Sequence, residues 1–319
     1  MTEPARTHPP IDIIGAPTDI GADNRGGSMG PEALRVARLP EALRRLGYTV
    51  ADRGNLLGPA NPGRGPVDGY RHLEETAAWC EQTRDAVRHS LDDGRMPLLL
   101  GGDHSLAIGS IAGVAAHCAA AGKKLSVLWL DAHADFNTAE TSPSGNIHGM
   151  PVAIVAGRGP ERLTQLGPTV PMLDPSRVVQ IGVRSVDAME KKMVVASGME
   201  VLDMRRIDEM RMRETMEIAV EKLVALGGHV HVSFDVDFLD PSIAPGVDTA
   251  VPGGPTYREA QLCMEMIHDC GLMASLDLME LNPACDIENK TAKLLVELVE
   301  SLFGEQILAR HDGAPARTI

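Results

Sequence analysis

The chain has 319 residues, 44% of them hydrophobic, with 32 glycines and 22 prolines, a balance that fits a folded protein of one or two domains. No run approaches the roughly 18 uninterrupted apolar residues that cross a bilayer, which excludes a membrane span. Thirty Lys and Arg against 44 Asp and Glu give a formal net charge of −14, which argues against nucleic acid as a partner and favours a cationic ligand.

In chain order, the opening MTEPARTHPP lacks an apolar signal core, and residues 1–10 are expected to form a disordered arm. A strand follows in IDIIG near Ile11, then a helical pattern from Pro31 to Leu46 and a Pro/Gly-rich surface loop from Gly54 to Gly69. Helices are predicted over His72 to Leu91 and Ser105 to Ala121, on either side of a strand in PLLLGG near Leu98. Further strands are read in LSVLWLD from Leu125, VVQIGV from Val178, HVHVSFDVD from His229 and MASLDLM from Met273. Helices from Arg213 to Leu226 and Tyr257 to Cys270 lie among them, and residues 306–319 read as a tail. Such alternation predicts an α/β fold of mostly parallel strands joined by crossover helices. No linker interrupts it, so 11–305 is expected to be a single domain. The five cysteines, Cys80, Cys118, Cys263, Cys270 and Cys285, form no short-spaced metal or redox motif, which suggests a reducing, cytoplasmic setting. Cys263 and Cys270 share one helical face and are expected to be buried thiols.

Several strands are apolar throughout and turn abruptly polar at their C-terminal ends, where open α/β sheets bind ligands. Gly101-Gly102-Asp103-His104 follows one strand and Asp131-Ala132-His133-Ala134-Asp135 another; Asp235-Val236-Asp237 and Glu280 end two more. Residues two apart on a strand point the same way, so Asp131, His133 and Asp135 can converge, as can Asp235 and Asp237. With His104 they make two imidazoles and four carboxylates. Four uncompensated carboxylates in a sheet mouth repel one another, and two divalent cations cancel their charge. Oxygen-rich donors with few imidazoles favour Mn²⁺ but leave Fe²⁺, Co²⁺, Ni²⁺ and Zn²⁺ open. His229 and His231 share the face of Asp235 and are read as core or supporting residues, with Ser233 bonding a ligand carboxylate.

The segments GGDHSLAIGS, DAHADFNT, SGNIHGMPV, SFDVDFLDPSIAPGVDTAVPGG, TYREA and ELNP together resemble the ureohydrolase superfamily and, within it, arginases of bacterial type. The resemblance covers nearly the entire chain and implies a three-layer fold around a central, mostly parallel sheet of eight strands. It implies two Mn²⁺ per subunit, one held by His104, Asp131, Asp135 and Asp235, the other by Asp131, His133, Asp235 and Asp237. It further implies hydrolysis of L-arginine to L-ornithine and urea by a hydroxide between the ions, which Asp135 aims. Glu280, supported by the Thr249 region, would pair with the guanidinium, and His148 would carry the proton to the leaving amine. Asn137, Ser144 and Asn146 are expected at the substrate α-carboxylate, and Asp187 with Glu190 at its α-amino group. Serine at position 185, where many animal arginases are acidic, fits the bacterial type. The Arg258 and Glu259 stretch implies a homotrimer or homohexamer; the alternative is an ordinary helix start. The neighbouring readings are a ureohydrolase for agmatine or guanidinobutyrate, and a non-catalytic metal-binding scaffold of this fold.

Overall fold

The computed structural model describes residues 8–308, so most of the expected arm at 1–10 and tail at 306–319 lies outside the described residues. Eight strands form one sheet: β1 (Ile11–Gly15), β2 (Val50–Asn55), β3 (Met96–Leu100), β4 (Leu125–Leu130), β5 (Val178–Ile181), β6 (Glu200–Leu202), β7 (His229–Asp235) and β8 (Met273–Met279). Their order is β2-β1-β3-β8-β7-β4-β5-β6, and every neighbouring pair is parallel. The six strands read from the pattern are the six inner ones. Both edge strands escaped it: β2 is VADRGN and largely solvent-facing, and β6 has only three residues.

The inner strands are apolar because helices cover both faces of the sheet. Alternate residues of β4 show the division: Leu128 and Leu130 join one buried cluster, whereas Val127 and Trp129 join the other. β7 sorts the same way, with Val230, Val232 and Phe234 in the first cluster. Its other face is polar from end to end, with His229, His231, Ser233 and Asp235 all buried. No described helix is long and apolar enough to cross a membrane.

Three helical readings need revision. The stretch from Pro31 to Leu46 is two helices, Gly30–Val36 and Leu39–Arg45, separated by Arg38 with φ 69°. Pro40 falls at the start of the second, the position where its missing N–H costs nothing. The helix expected from Arg213 begins at Met204, where Asp203 caps Arg206 N, and is interrupted at Arg211 with φ 68°. The stretch expected from Ser105 opens as a tight single turn over His104–Leu106 before the helix Ala107–Ala120. Tyr257–Cys270 is helical as read, opened by a capping box between Thr256 and Glu259 and closed by Gly271 in the left-handed conformation. Cys263 is buried and Cys270 only partly so; burial pushes both thiols upward, Cys263 to about 12.

Candidate active site

The four strands that deliver the polar ends, β3, β8, β7 and β4, are consecutive neighbours in the middle of the sheet. Their C-terminal ends therefore meet at one rim. After β3, Asp103 caps the turn that carries His104, accepting from Ser105 N at 3.0 Å and from Gly21 N at 2.9 Å. His104 Nδ1 lies 2.8 Å from Asp235 Oδ2, 3.4 Å from Asp131 Oδ2 and 3.5 Å from Asp135 Oδ2. His133 Nδ1 lies 2.9 Å from Asp237 Oδ2 and 3.6 Å from Asp131 Oδ1. Two groups have their donor atoms within 4.8 Å of one another, His104 with Asp131 and Asp135, and Asp131 with His133 and Asp237. Asp131 belongs to both groups. Asp235 touches His104 but stands outside both groups at that spacing.

The donors are held in orientation by their surroundings. The His104 ring stacks on Trp129 at 4.2 Å, and its Nε2 lies 2.9 Å from Ser233 Oγ. Ser233 thus serves the imidazole rather than a carboxylate, contrary to the expectation for it. Trp129 Nε1 donates to Asp131 Oδ2 at 2.7 Å, the i, i+2 alternation of β4 carried past its end. Ala132 N donates to Asp237 Oδ1 at 3.1 Å and Thr249 Oγ1 to Asp237 Oδ2 at 2.9 Å. Thr249 therefore supports Asp237, not Glu280. Asp135 and Glu280 have φ of 50° and 66°, a conformation that non-glycine residues hold only where surroundings impose it.

The electrostatics of the cluster follow from its excess of carboxylates. Burial and the neighbouring carboxylates Asp131 and Asp237 push Asp135 and Asp235 respectively well above the carboxylate range. Burial opposes the charge on His104, yet the carboxylates around it raise its pKa to about 9; His133, likewise opposed by burial, is pushed up to about 12 by Asp237 and Asp131. Asp131, despite its burial, is held well below its ordinary value by both imidazoles. The side chains thus retain protons to offset a surplus of buried negative charge. Cations at the two shared positions would replace those protons, and the oxygen-rich donor set fits divalent ions such as Mn²⁺.

Twelve of the fourteen predicted site residues line one cavity of about 220 Å³; His104 and Asp131, 1% and 0% exposed, do not. Glu280 Oε1 accepts from His104 N at 2.7 Å and lies 3.0 Å from His148 Nδ1. Burial opposes charge on both, but the carboxylate raises His148 and the imidazole lowers Glu280. Asn137 Nδ2 donates to Asp187 Oδ2 at 3.0 Å. Glu190 reaches the cavity, yet its oxygens accept from Phe136 N at 2.7 Å and Asp187 N at 3.1 Å, so it braces the loops that carry those residues. Ser142 and Ser185 also line the cavity and were passed over as site residues. The first stands two residues before Ser144, and the second bridges His133 through the backbone, a pairing no local pattern discloses.

Residues 9–304 match the model of the Arginase family. The chain belongs to that family. Arginase from Bacillus caldovelox is 46% identical over 94% of this chain and 99% of its own length, and arginase from Bacillus subtilis is 46% identical over 93% and 99%. The native structure of the Bacillus caldovelox arginase superposes with a TM-score of 0.89, covering 94% of this chain and all of that one. The Entamoeba histolytica arginase in complex with L-ornithine superposes with a TM-score of 0.86 at 31% identity over 92% of this chain and 98% of its own. This arginase-family chain is an enzyme, a hydrolase, and its eight-stranded parallel sheet is that of its structural neighbours.

Proposed function

We propose that the chain hydrolyses L-arginine to L-ornithine and urea with two Mn²⁺ ions per subunit. The observation that carries this reading is the pair of His/Asp groups sharing the buried Asp131 at the floor of an acidic cavity that Asp135, His133, Asp237, Glu280 and His148 line. The relatives named arginase and the ornithine-bound neighbour support it. His104, Asp131, Asp135 and Asp235 would hold one ion; Asp131, His133, Asp235 and Asp237 would hold the other. When bound, the ions supply Lewis acidity that makes water a competent nucleophile near neutral pH.

The remaining work falls to side chains. Asp135 accepts a hydrogen bond from the attacking water and aims it. Glu280 pairs with the guanidinium and fixes its carbon against that water, converting an encounter into an oriented attack. Addition of hydroxide to the cationic carbon gives a neutral tetrahedral intermediate. Its C–N bond to the side-chain nitrogen breaks only when that nitrogen gains a proton. His148, 3.0 Å from Glu280 and charged more readily because of it, holds that proton. Asn137, Ser144 and Asn146 receive the α-carboxylate, and Asp187 the α-amino group, with Glu190 bracing Asp187. Arg258 would join subunits of a homotrimer or homohexamer; Glu259 is committed to the capping box within its own chain.

A panel of L-arginine, agmatine and guanidinobutyrate, assayed for urea after Mn²⁺ loading, tests the reading. Arginine should give the highest kcat/KM; a preference for agmatine, or no urea from any of the three, would refute it.

A further inference from the structure

Arg71 lies outside the cavity wall, in the segment that follows the Pro/Gly-rich loop, and no chemistry was expected of it. Its Nε donates to Asn146 Oδ1 at 2.7 Å, and its guanidinium pairs with Asp23 and donates to Arg64 O at 3.3 Å. Arg71 N also donates to Gly145 O at 2.8 Å. The two segments touch closely enough that a Cβ on Gly145, whose φ is 71°, would lie 2.9 Å from Pro66 Cβ and 3.0 Å from Gly69 O. The Ser144-Gly145-Asn146 loop is therefore seated on residues 66–71, with Arg71 as its side-chain anchor.

A guanidinium has five donors and no acceptor. The end of the Asn146 amide that faces Arg71 is consequently the oxygen, and Nδ2 is the end left over; it donates to no described residue. Asn146 lines the cavity, and no lysine or arginine does, among the described residues. The two imidazoles in the lining, His133 and His148, are taken up by Asp237 and Glu280, so a ligand carboxylate beside Asn146 is received by neutral donors. A charge-assisted hydrogen bond at Oδ1 also polarises the amide and strengthens its N–H groups as donors.

We propose that Arg71 is a positioning residue for substrate selection: by holding Asn146 Oδ1 it makes Asn146 present a donor, which favours guanidino compounds bearing a carboxylate over those lacking one. The inference rests on the arginine reading above and adds to it the residue that sets the preference. Without Arg71 the amide is free to turn its oxygen toward the ligand, where two acceptors would oppose each other.

The test compares Arg71→Met, Arg71→Lys and Asn146→Ala with the wild-type chain, all loaded with Mn²⁺, using L-arginine and agmatine as substrates and L-ornithine and putrescine as competing ligands. Arg71→Met should raise KM for arginine about tenfold, the size of one lost hydrogen bond to a charged group, with kcat within about twofold. The inhibition constant of ornithine should rise in parallel, while the values for agmatine and putrescine hold. Arg71→Lys should recover part of the loss, and Arg71→Met combined with Asn146→Ala should be no worse than Asn146→Ala alone. Equal changes for arginine and agmatine, an unchanged arginine KM, or additive losses in the double variant would overturn the proposal while leaving the arginine reading in place. A wild-type chain that prefers agmatine would overturn both.

Discussion

The two halves of β7 place histidines and aspartates on the same buried face of the sheet and use them differently. Toward its start, Ser275 Oγ lies 2.9 Å from both His229 Nε2 and His231 Nδ1, and His231 Nε2 lies 3.0 Å from Asp277 Oδ2. Ser110 Oγ donates to the other Asp277 oxygen at 2.7 Å. One carboxylate there meets two partners, and burial drives His229 down to about 3, which keeps its ring neutral. At the far end, four carboxylates face two imidazoles, and protons are retained well outside their usual range. The residue types are the same; the balance of charge is not. A satisfied network stiffens the sheet, whereas a carboxylate surplus calls for cations.

The comparison breaks most sharply at its two carboxylates. Asp131→Ala removes the carboxylate that belongs to both His/Asp groups, and urea release should fall by about 10³-fold or more, equivalent to several kcal/mol of lost transition-state stabilisation. Retained turnover in that variant would place the chemistry elsewhere. Asp277→Ala should act in the opposite sense: it leaves the buried His231 and Ser110 without their hydrogen-bond partner, at a cost of about 1–3 kcal/mol of stability for each stranded group. Denaturant unfolding should register that cost while metal content per folded chain stays unchanged. Loss of metal with little loss of stability would mean that the two clusters are one.

A pH series sharpens the contrast. In the metal-free chain His104 titrates near 9 rather than 6.5, so the stability it contributes is present below pH 6.5 and is lost as pH rises through 9. Asp135 and Asp235, raised above their ordinary range, act in the same direction. Bound cations replace the protons, so the gap in Tm between Mn²⁺-loaded and metal-free chains should widen from pH 6.5 to pH 9. A gap that narrows would contradict the charge account. The smallest effect is expected at Thr249→Val, where Asp237 loses one donor; Mn²⁺ affinity should weaken about tenfold in equilibrium dialysis, with the fold intact.

Much of this arrangement was legible from period and position. Apolar strands ending in DAHAD, DVD, GGDH and a lone Glu280 pointed to the polar rim, but strand alternation does not bring these side chains together: β4 stops at Leu130, Asp135 has φ 50° and Asp237 lies in a tight turn, so the convergence is made by the turns beyond the strands. The order that makes β3, β8, β7 and β4 neighbours was not legible, since no local pattern records which strands pair. The edge strands β2 and β6 lacked an apolar signature because one side of each meets solvent or a loop. Contacts between segments distant in sequence, such as Ser233 with His104, Thr249 with Asp237 and Arg71 with Asn146, depend on side-chain reach after packing. The break at Arg38 was missed although Pro40 signals it, since the helical pattern runs through from Pro31 to Leu46.

Metal content of the wild-type chain after equilibrium dialysis against Mn²⁺ addresses the central claim most directly, because it counts the cations that the carboxylate surplus demands. The account predicts about two ions per chain, the number that offsets four carboxylates. A plateau at one ion, or none, would contradict it.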